Sequence, residues 1–440
     1  MSRTTHSTAG WPIISPLTLV MLVWIFVFAL RFFPLVTFPR LPAEVVGFLV
    51  VALATFGIAY TVARYEWRSR PRTTGLTGYS GTEIEALGLQ QIIVTFVLVG
   101  AIGSALRGLD IFLLRGLDFS SGVSLARLEN IAAVADDGAG GRLLSAFGRL
   151  LMGCVTVAFL AAFLRWERLP LQILVMAMAS WVLTLFLSVL EGGRNTIVVN
   201  LVLLLAAGMV RRRCGRRFLP TGSFVRGWLK TIALLVTIYV LFVFTDRFAA
   251  LGYKNEESVI RGIERAYSVN VEPWVIDLKP GALKEFAING IMLVIYAAHG
   301  VDQMAGLMEW VSCNTLGFGR YNLDLVTVAL GRAGLPIERF QFEDLPSPGL
   351  YVTALGELIL DIGPTGTLVF LFALGLVLGR LWRVVPRLCP VAWELFLCFG
   401  LGWLIATPLY SLFSGFFGVV LATFAFHVAV LARKRLRLLP

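Results

Sequence analysis

The sequence predicts an all-α polytopic membrane protein, with about ten transmembrane helices and a large helical extracytoplasmic loop. Hydrophobic residues make up 58% of the 440 residues and charged residues only 15%, whereas soluble domains are about half apolar and a quarter charged. In hydrocarbon every backbone polar group needs a partner, so only helices and closed barrels cross a membrane. The apolar runs are mostly roughly 17 to 22 residues long and lack the alternation of barrel strands, which favours helices.

The predicted spans follow the apolar runs in chain order. They lie near 16–33, 43–63, 89–106, 146–164, 170–190, 195–210, 228–245, 364–382, 391–409 and 416–432. Basic residues cluster on one side of these spans, as Arg64/Arg68/Arg70/Arg72, Arg165/Arg168, Arg211/Arg212/Arg213/Arg216/Arg217, Arg380/Arg383/Arg387 and Arg433/Lys434/Arg435/Arg437. Because positively charged connectors stay in the cytoplasm, we expect this side, and both termini, to be cytoplasmic.

Several function classes are disfavoured by composition and by missing motifs. The net charge of +11 comes from short clusters between apolar runs, so membrane orientation explains it without nucleic acid. The sequence has no Walker-type phosphate loop, no His/Cys metal spacing and no Gly-x-Ser-x-Gly elbow, so no cofactor or metal is expected. Few charges fall inside the predicted spans, which argues against a channel or an ion-coupled transporter.

Two connectors on the predicted outer side are long, about 107–145 and 246–363. The second far exceeds an ordinary loop, so we expect it to be functional or separately folded. The predicted organisation is therefore an N-terminal bundle of seven spans (1–245), a large periplasmic loop (246–363), and three final spans with a basic tail (364–440). Within the loop, 288–298 is apolar but too short to cross, so it predicts a helix on or dipping into the membrane surface.

Arg194 lies in the tight connector Glu191-Gly-Gly-Arg194-Asn195 between two predicted spans. An arginine at the membrane rim can simply extend its charge to water. Alternatively, two glycines allow a ligand close to the backbone, a helix starts at once, and the guanidinium can grip a phosphate with two hydrogen bonds. The connector is therefore either a rim anchor or an anion site.

Arg261 and Arg265 are four positions apart in the long loop, so on a helix they share one face. One interpretation is a solvated helix in which Glu257 and Glu264 partner these arginines. The other is a second anion contact, because two cations on one face repel unless an anion lies between them.

His299 is the only histidine placed for chemistry on the predicted outer face. It ends the short apolar stretch, and Asp302 is close enough on a helix to fix its tautomer unless Gly300 breaks that helix. A base and a structural histidine are the two alternatives.

Further candidates follow in the same loop: Arg320 in Phe318-Gly-Arg320-Tyr321, then Tyr351, Glu357 and Asp361. The two acids are one helical turn apart in apolar surroundings, where a carboxylate is costly unless it is paired or serves chemistry. They are predicted to act either as a base or as ion-pair partners that hold the arginines.

The segment Thr353-Ala-Leu-Gly-Glu357-Leu-Ile-Leu-Asp-Ile-Gly363-Pro-Thr-Gly366, with the Gly-studded run to Arg380, carries a family resemblance. It resembles the stretch after the large outer loop of bacterial oligosaccharide repeat-unit polymerases, the Wzy-type O-antigen polymerases. The Gly-Gly-Arg194 connector resembles the Arg-bearing turn of that family and of the related O-antigen ligases, and 116–121 is similar to a Gly/Ser stretch of their first outer loop. The order of spans and loops is also similar.

The resemblance implies a GT-C-like glycosyltransferase in the bacterial inner membrane, active on the periplasmic face without metal or nucleotide. Its partners would be undecaprenyl-pyrophosphate-linked glycans as donor and acceptor, membrane lipid and a chain-length regulator. Arg194, Arg261 and Arg265 would then contact pyrophosphate, assisted by Arg320 and Tyr351.

The base would be Glu357, Asp361 or His299. Ligases place a histidine in their large loop, whereas polymerases do not share it reliably. The alternatives are an O-antigen ligase or another lipid-linked-sugar transferase, and a flippase or transporter for such glycans.

Overall fold

The computed structural model describes residues 13–66, 82–117, 129, 139–190, 194–219, 227, 231, 253, 255–323, 326–327, 345, 352–388 and 391–436. The helices in these ranges are α1 (Pro16–Leu30), α2 (Ala43–Glu66), α3 (Thr82–Leu109), α4 (Ala139–Leu164), α5 (Leu171–Leu190), α6 (Arg194–Arg213), α7 (Glu256–Tyr267), α8 (Pro273–Ile276), α9 (Ala282–Cys313), α10 (Ala354–Leu388), α11 (Val391–Ala406) and α12 (Leu412–Leu436). A π-helical turn, Asp110–Leu114, follows α3, and the short strands β1 (Val36–Thr37) and β2 (Asn270–Val271) pair antiparallel.

The prediction of an all-α polytopic membrane protein is confirmed. Within the described ranges, seven helices are long and apolar enough to cross a membrane, namely α2, α3, α4, α5, α6, α9 and α10. Helix α1, helix α11 and most of α12 are shorter apolar helices at predicted spans. The predicted span at 228–245 lies outside the described residues except for residue 231, and the number of spans stays a prediction.

One end of the bundle, here called the loop end, is where α1, α5 and α11 finish and α2, α6, α10 and α12 begin. Contacts between distant segments define it. The Tyr410 hydroxyl donates to the Asn195 carbonyl at 3.4 Å, and the Ala354 N–H donates to the Thr407 carbonyl at 2.8 Å. The starts of α6, α10 and α12 therefore lie together.

The opposite end, here called the arginine-rich end, carries most of the basic clusters that the sequence predicts to be cytoplasmic. Arg433 near the end of α12 donates to the Gly88 carbonyl of α3, and Arg383 near the end of α10 donates to the Arg64 carbonyl of α2. Arginines at this end therefore also bond to the backbone of neighbouring helices.

Close packing between α2 and α10 depends on two glycines one turn apart. A Cβ atom on Gly375 would lie 2.6 Å from the Phe56 carbonyl oxygen, and one on Gly379 would lie 2.6 Å from the Tyr60 carbonyl oxygen. In lipid there is no hydrophobic driving force between helices. Small residues stabilise a helix pair there because they let the two backbones approach closely. The two helices run parallel, which fixes where the first half of α10 emerges.

Glu394 in α11 is fully buried near the arginine-rich end. Arg165 Nη1 donates to both of its carboxylate oxygens, at 2.7 and 2.6 Å, and Arg216 Nη2 donates to Oε1 at 2.6 Å. Sequence reasoning interpreted these arginines as orientation signals only. The structure shows that they also neutralise a buried carboxylate and thereby tie α4 and the segment after α6 to α11.

Helix α9 differs from the prediction. The sequence predicted a short helix over 288–298, but α9 is continuous over 32 residues and passes through Gly300. The glycine serves close packing rather than a helix end, because a Cβ atom there would lie 3.2 Å from the Pro408 carbonyl oxygen and from the Thr353 nitrogen. The buried face also continues beyond it, through Val301 and Met304.

A second hydrophobic core joins the long loop to the end of α1. Its buried side chains come from β1, α7, β2 and the first half of α9, among them Val36, Ile263, Val271 and Ile291. The β1–β2 pairing connects the segment after α1 to the segment after α7. This part of the loop is therefore packed against the bundle and is not an extended connector.

We predict that replacing Glu394 with Ala lowers the free energy of unfolding by about 3–5 kcal/mol, because Arg165 and Arg216 lose their shared buried carboxylate. The matched control is Arg168→Ala, an exposed arginine at the same end, for which a change within about 0.5 kcal/mol is expected. Denaturant titration of purified protein in mixed micelles measures both. Equal stability of the two variants would contradict the assignment.

Candidate functional site

Helix α10 is interrupted at Gly363, whose φ of 71° lies in the left-handed region that favours glycine. Pro364 then begins the second half of α10. Proline is favoured at the first position of a helix because its φ is already fixed near the helical value. The first half, 354–362, begins with a cap, in which the Thr353 hydroxyl accepts from the Gly356 N–H at 3.0 Å. The interruption produces a short half-helix at the loop end.

Glu357 lies in the first turn of this half-helix and is only 4% exposed. Its Oε1 accepts a hydrogen bond from the Ser411 N–H at 3.1 Å. The neighbouring Tyr410 hydroxyl binds the carbonyl of Asn195, the residue that follows Arg194. The sequence-predicted carboxylate and the sequence-predicted arginine connector are therefore joined through the turn between α11 and α12.

The backbone of Arg194 begins α6, so this arginine stands at a helix N-terminus, as the sequence predicted. Its side chain, residues 191–193 and Tyr351 lie outside the described residues. The anion-binding roles of Arg194 and Tyr351 therefore stay predictions.

Asp361 is buried and its carboxylate binds the loop 316–323. Oδ1 accepts from the Tyr321 N–H at 2.9 Å, and Oδ2 accepts from the Asn322 N–H at 2.8 Å and the Asn322 side-chain amide at 2.7 Å. The sequence left open a base or an arginine partner for Asp361. In the structure its carboxylate instead fastens a loop that precedes it by about forty residues in the chain.

Tyr321 was missed as a site residue by sequence reasoning. Burial raises the pKa of its hydroxyl well above the usual range, and the negative charges of Glu357 and Asp361 act in the same direction. The phenol therefore remains protonated beside the two carboxylates at neutral pH. The signal available in the sequence was the place of Tyr321 in Phe318-Gly-Arg-Tyr. In the structure, Phe318 and Gly319 of this motif both have positive φ.

Arg320 folds back onto its own loop. Nε donates to the Gly317 carbonyl at 2.9 Å, and Nη2 donates to the Leu316 carbonyl at 3.2 Å. These bonds hold the guanidinium at the end of the loop, half-buried next to Tyr321. Its assistance in substrate binding stays a prediction.

His299 is 4% exposed and lies within α9, next to the Gly300 contact with Thr353. Its Nε2 is 3.0 Å from Gln303 Nε2, and the Tyr267 ring packs edge-on against it with the centroids 5.0 Å apart. The histidine therefore borders the loop-end cluster that contains Glu357.

The prediction that Asp302 fixes the His299 tautomer is wrong. The Asp302 carboxylate forms a buried ion pair with Arg31 Nη1 at 2.6 Å, and His299 Nδ1 has no hydrogen-bond partner in the described part of the chain. Arg31 also donates to the Pro39 carbonyl at 2.6 Å. A spacing of three residues on α9 allowed the predicted contact. In the structure, however, the Asp302 carboxylate binds the guanidinium of Arg31 at the end of α1, a charge-assisted pair.

Arg261 and Arg265 share the exposed face of α7, as the predicted helix requires. The exposed Arg261 side chain pairs with Glu257, which agrees with the first of the two interpretations for this residue. Glu264 instead accepts the Val271 N–H at 3.0 Å and so stabilises the start of β2. Contact of either arginine with an anion stays a prediction.

Comparison with known proteins adds no relative to this description. No protein-family model, no curated protein and no solved structure matches the chain. Its function is therefore inferred from its own residues and their geometry.

We predict that Asp361→Ala releases the loop 316–323 from the half-helix, because three hydrogen bonds to one charged acceptor are lost. Hydrogen exchange of the Tyr321 and Asn322 amides is expected to rise by about tenfold or more, since each such bond contributes about 1.5–3 kcal/mol. Glu309→Ala, an exposed carboxylate on α9, is the matched control and should leave these amides protected. If both amides stay equally protected in Asp361→Ala, the fastening role is refuted.

Proposed function

We propose that the protein polymerises lipid-linked oligosaccharide repeat units at the outer face of the bacterial cytoplasmic membrane. The donor is a glycan on undecaprenyl pyrophosphate, and the acceptor is a sugar hydroxyl of a second lipid-linked unit. One observation carries the proposal. The two segments that resemble oligosaccharide polymerases, the Gly-Gly-Arg194 connector and the 353–366 stretch, are far apart in sequence but are joined through Tyr410 and Ser411.

The reaction needs a base for the acceptor hydroxyl. That oxygen forms a bond to the reducing-end carbon of the donor, the bond from this carbon to pyrophosphate breaks, and its electron pair leaves with the pyrophosphate. The hydroxyl proton passes to the base. Glu357 suits this role better than Asp361, because both carboxylate oxygens of Asp361 are already engaged in the three hydrogen bonds that hold the loop 316–323.

The leaving pyrophosphate needs positive charge. Arg194 and the first amides of α6 form a helix N-terminus, which favours phosphate through both its N–H groups and its dipole. Arg320 at the end of its loop, together with Arg261 and Arg265 on the exposed face of α7, supplies further cations in the same outer segment. This chemistry requires neither a metal nor a nucleotide.

A second candidate is an O-antigen ligase. The observation in its favour is His299, which borders the Glu357 cluster through the Gly300 contacts and carries an Nδ1 atom with no partner in the described residues. In a ligase that histidine would be the base, and the acceptor would be a different glycolipid. A flippase or transporter is the third alternative, and no observation on the described residues favours it specifically.

We predict that Arg194→Ala, expressed in a strain lacking the native gene, gives surface glycan capped with single repeat units. Loss of one preorganised group that stabilises the leaving anion typically costs about a hundredfold to a thousandfold in rate. Gel profiles of surface glycan measure the outcome, with membrane levels of the protein checked. The control is Arg168→Ala, an exposed arginine at the arginine-rich end, which should retain long chains.

The other outcomes separate the candidates. A ligase defect leaves the surface bare while lipid-linked polymer accumulates, and a transport defect traps single units on the inner face. Long chains that persist unchanged in Arg194→Ala would show that Arg194 does not serve the reaction.

A further inference from the structure

Helix α9 is long and apolar enough to cross a membrane, yet contacts from both of its halves lie at the loop end. Gly290 lies against Leu35, just beyond the end of α1, and Asp302 pairs with Arg31 at the same end. Gly290 and Asp302 are twelve residues apart on α9, yet both contact the segment 31–35. A helix that descended alongside α1 would instead meet successive turns of α1.

The second half of α9 also stays at this end. Gly300 contacts Pro408 in the turn between α11 and α12. After α9 ends at Cys313, the Gly317 N–H donates to the Leu360 carbonyl at 2.8 Å, within the half-helix that precedes Gly363. A helix of 32 residues is about 48 Å long, more than the roughly 30 Å hydrocarbon core, so crossing would have carried Cys313 to the arginine-rich end.

The outward side of the first half of α9 is mainly apolar, and its exposed carboxylate, Glu285, lies in the first turn. Leu283 is 66% exposed, Phe286 69% and Leu293 44%, and they recur at helical spacing along one stripe. The opposite side of the same half, with Ala287 and Ile291, is buried in the second hydrophobic core. A helix surrounded by water on its outer side would present polar residues there, so this stripe needs an apolar partner.

The stripe continues the apolar exterior of α1. Trp274 in α8 is half exposed and donates from Nε1 to the Pro34 carbonyl at 2.9 Å, which holds it beside the exposed rings of Phe32 and Phe33. Phe32 and Phe33 lie just beyond the end of α1, on which Phe26 is also exposed. A tryptophan at the end of an apolar span is typical of the boundary between acyl chains and headgroups.

We propose that α8 and the first half of α9 lie in the lipid leaflet at the loop end, with Leu283, Phe286 and Leu293 against acyl chains. The partner of this surface is bilayer lipid, and α9 does not cross the membrane. The placement keeps α7, whose exposed face carries Arg261 and Arg265, at the level of the headgroups. It is independent of the proposed glycosyl transfer.

Native Cys313, exposed at the end of α9, tests whether the helix crosses. A background keeps Cys313 and replaces Cys154, Cys214, Cys389 and Cys398 with Ala. Two reference proteins lack Cys313 as well and carry Arg40→Cys at the loop end or Arg168→Cys at the arginine-rich end. With a membrane-impermeant maleimide on intact cells and on inverted vesicles, Cys313 is expected to react from the same side as Arg40→Cys. Reaction from the side of Arg168→Cys would overturn the proposal.

The depth of the stripe is tested by a nitroxide at Phe286→Cys, in the background lacking the native cysteines. The protein is reconstituted in vesicles of phosphatidylethanolamine and phosphatidylglycerol, and Arg265→Cys is the reference on the exposed face of α7. The Phe286→Cys label is expected to be relaxed by oxygen and protected from a water-soluble nickel complex, while the Arg265→Cys label is relaxed by the nickel complex. Equal relaxation of both labels by the nickel complex would overturn the lipid contact.

Discussion

The interruption of α10 at Gly363 is the constraint on which the loop end depends. It creates a half-helix whose last turn holds the loop 316–323 through Asp361 and whose first turn presents Glu357. The start of the half-helix binds Thr407, and Glu357 binds the Ser411 amide. Through the adjacent Tyr410, the same turn reaches the start of α6. An uninterrupted helix of this length would carry Glu357 and Asp361 straight out of the bundle, away from all of these partners.

Buried carboxylates in the bundle are held in two ways. At the arginine-rich end, Glu394 is shared by two arginines, so its charge is neutralised locally and fastens helices together. At the opposite end, Asp110 after α3 is likewise shared by two arginines, whereas Glu357 and Asp361 accept hydrogen bonds from backbone amides. Backbone amides orient a carboxylate without cancelling its charge, so the folded backbone itself positions these two side chains.

The sequence predicts the class of the protein and the positions of most helices, because hydropathy and basic clusters are local properties of the chain. It also predicts that Glu357 and Asp361 lie on one helical face in apolar surroundings. It does not predict their partners, since Ser411 and the loop 316–323 come from distant segments. The same reason explains the error at Asp302. Its spacing from His299 suggested a contact within α9, but its carboxylate pairs with Arg31, a residue far away in the sequence. The length of helix α9 was underestimated because the apolar run 288–298 set the predicted bounds, and Gly300, a possible helix break in the sequence, is a packing contact in the structure.

We propose that this membrane protein joins lipid-linked repeat units with Glu357 as the base. The most direct measurement is the reaction of purified protein in liposomes with lipid-linked single repeat units, following product length and released lipid diphosphate. The account predicts products of two or more repeats, one lipid diphosphate released per linkage formed, and loss of both with Glu357→Gln. Active protein that makes no product longer than one repeat, or full activity of Glu357→Gln, would contradict it.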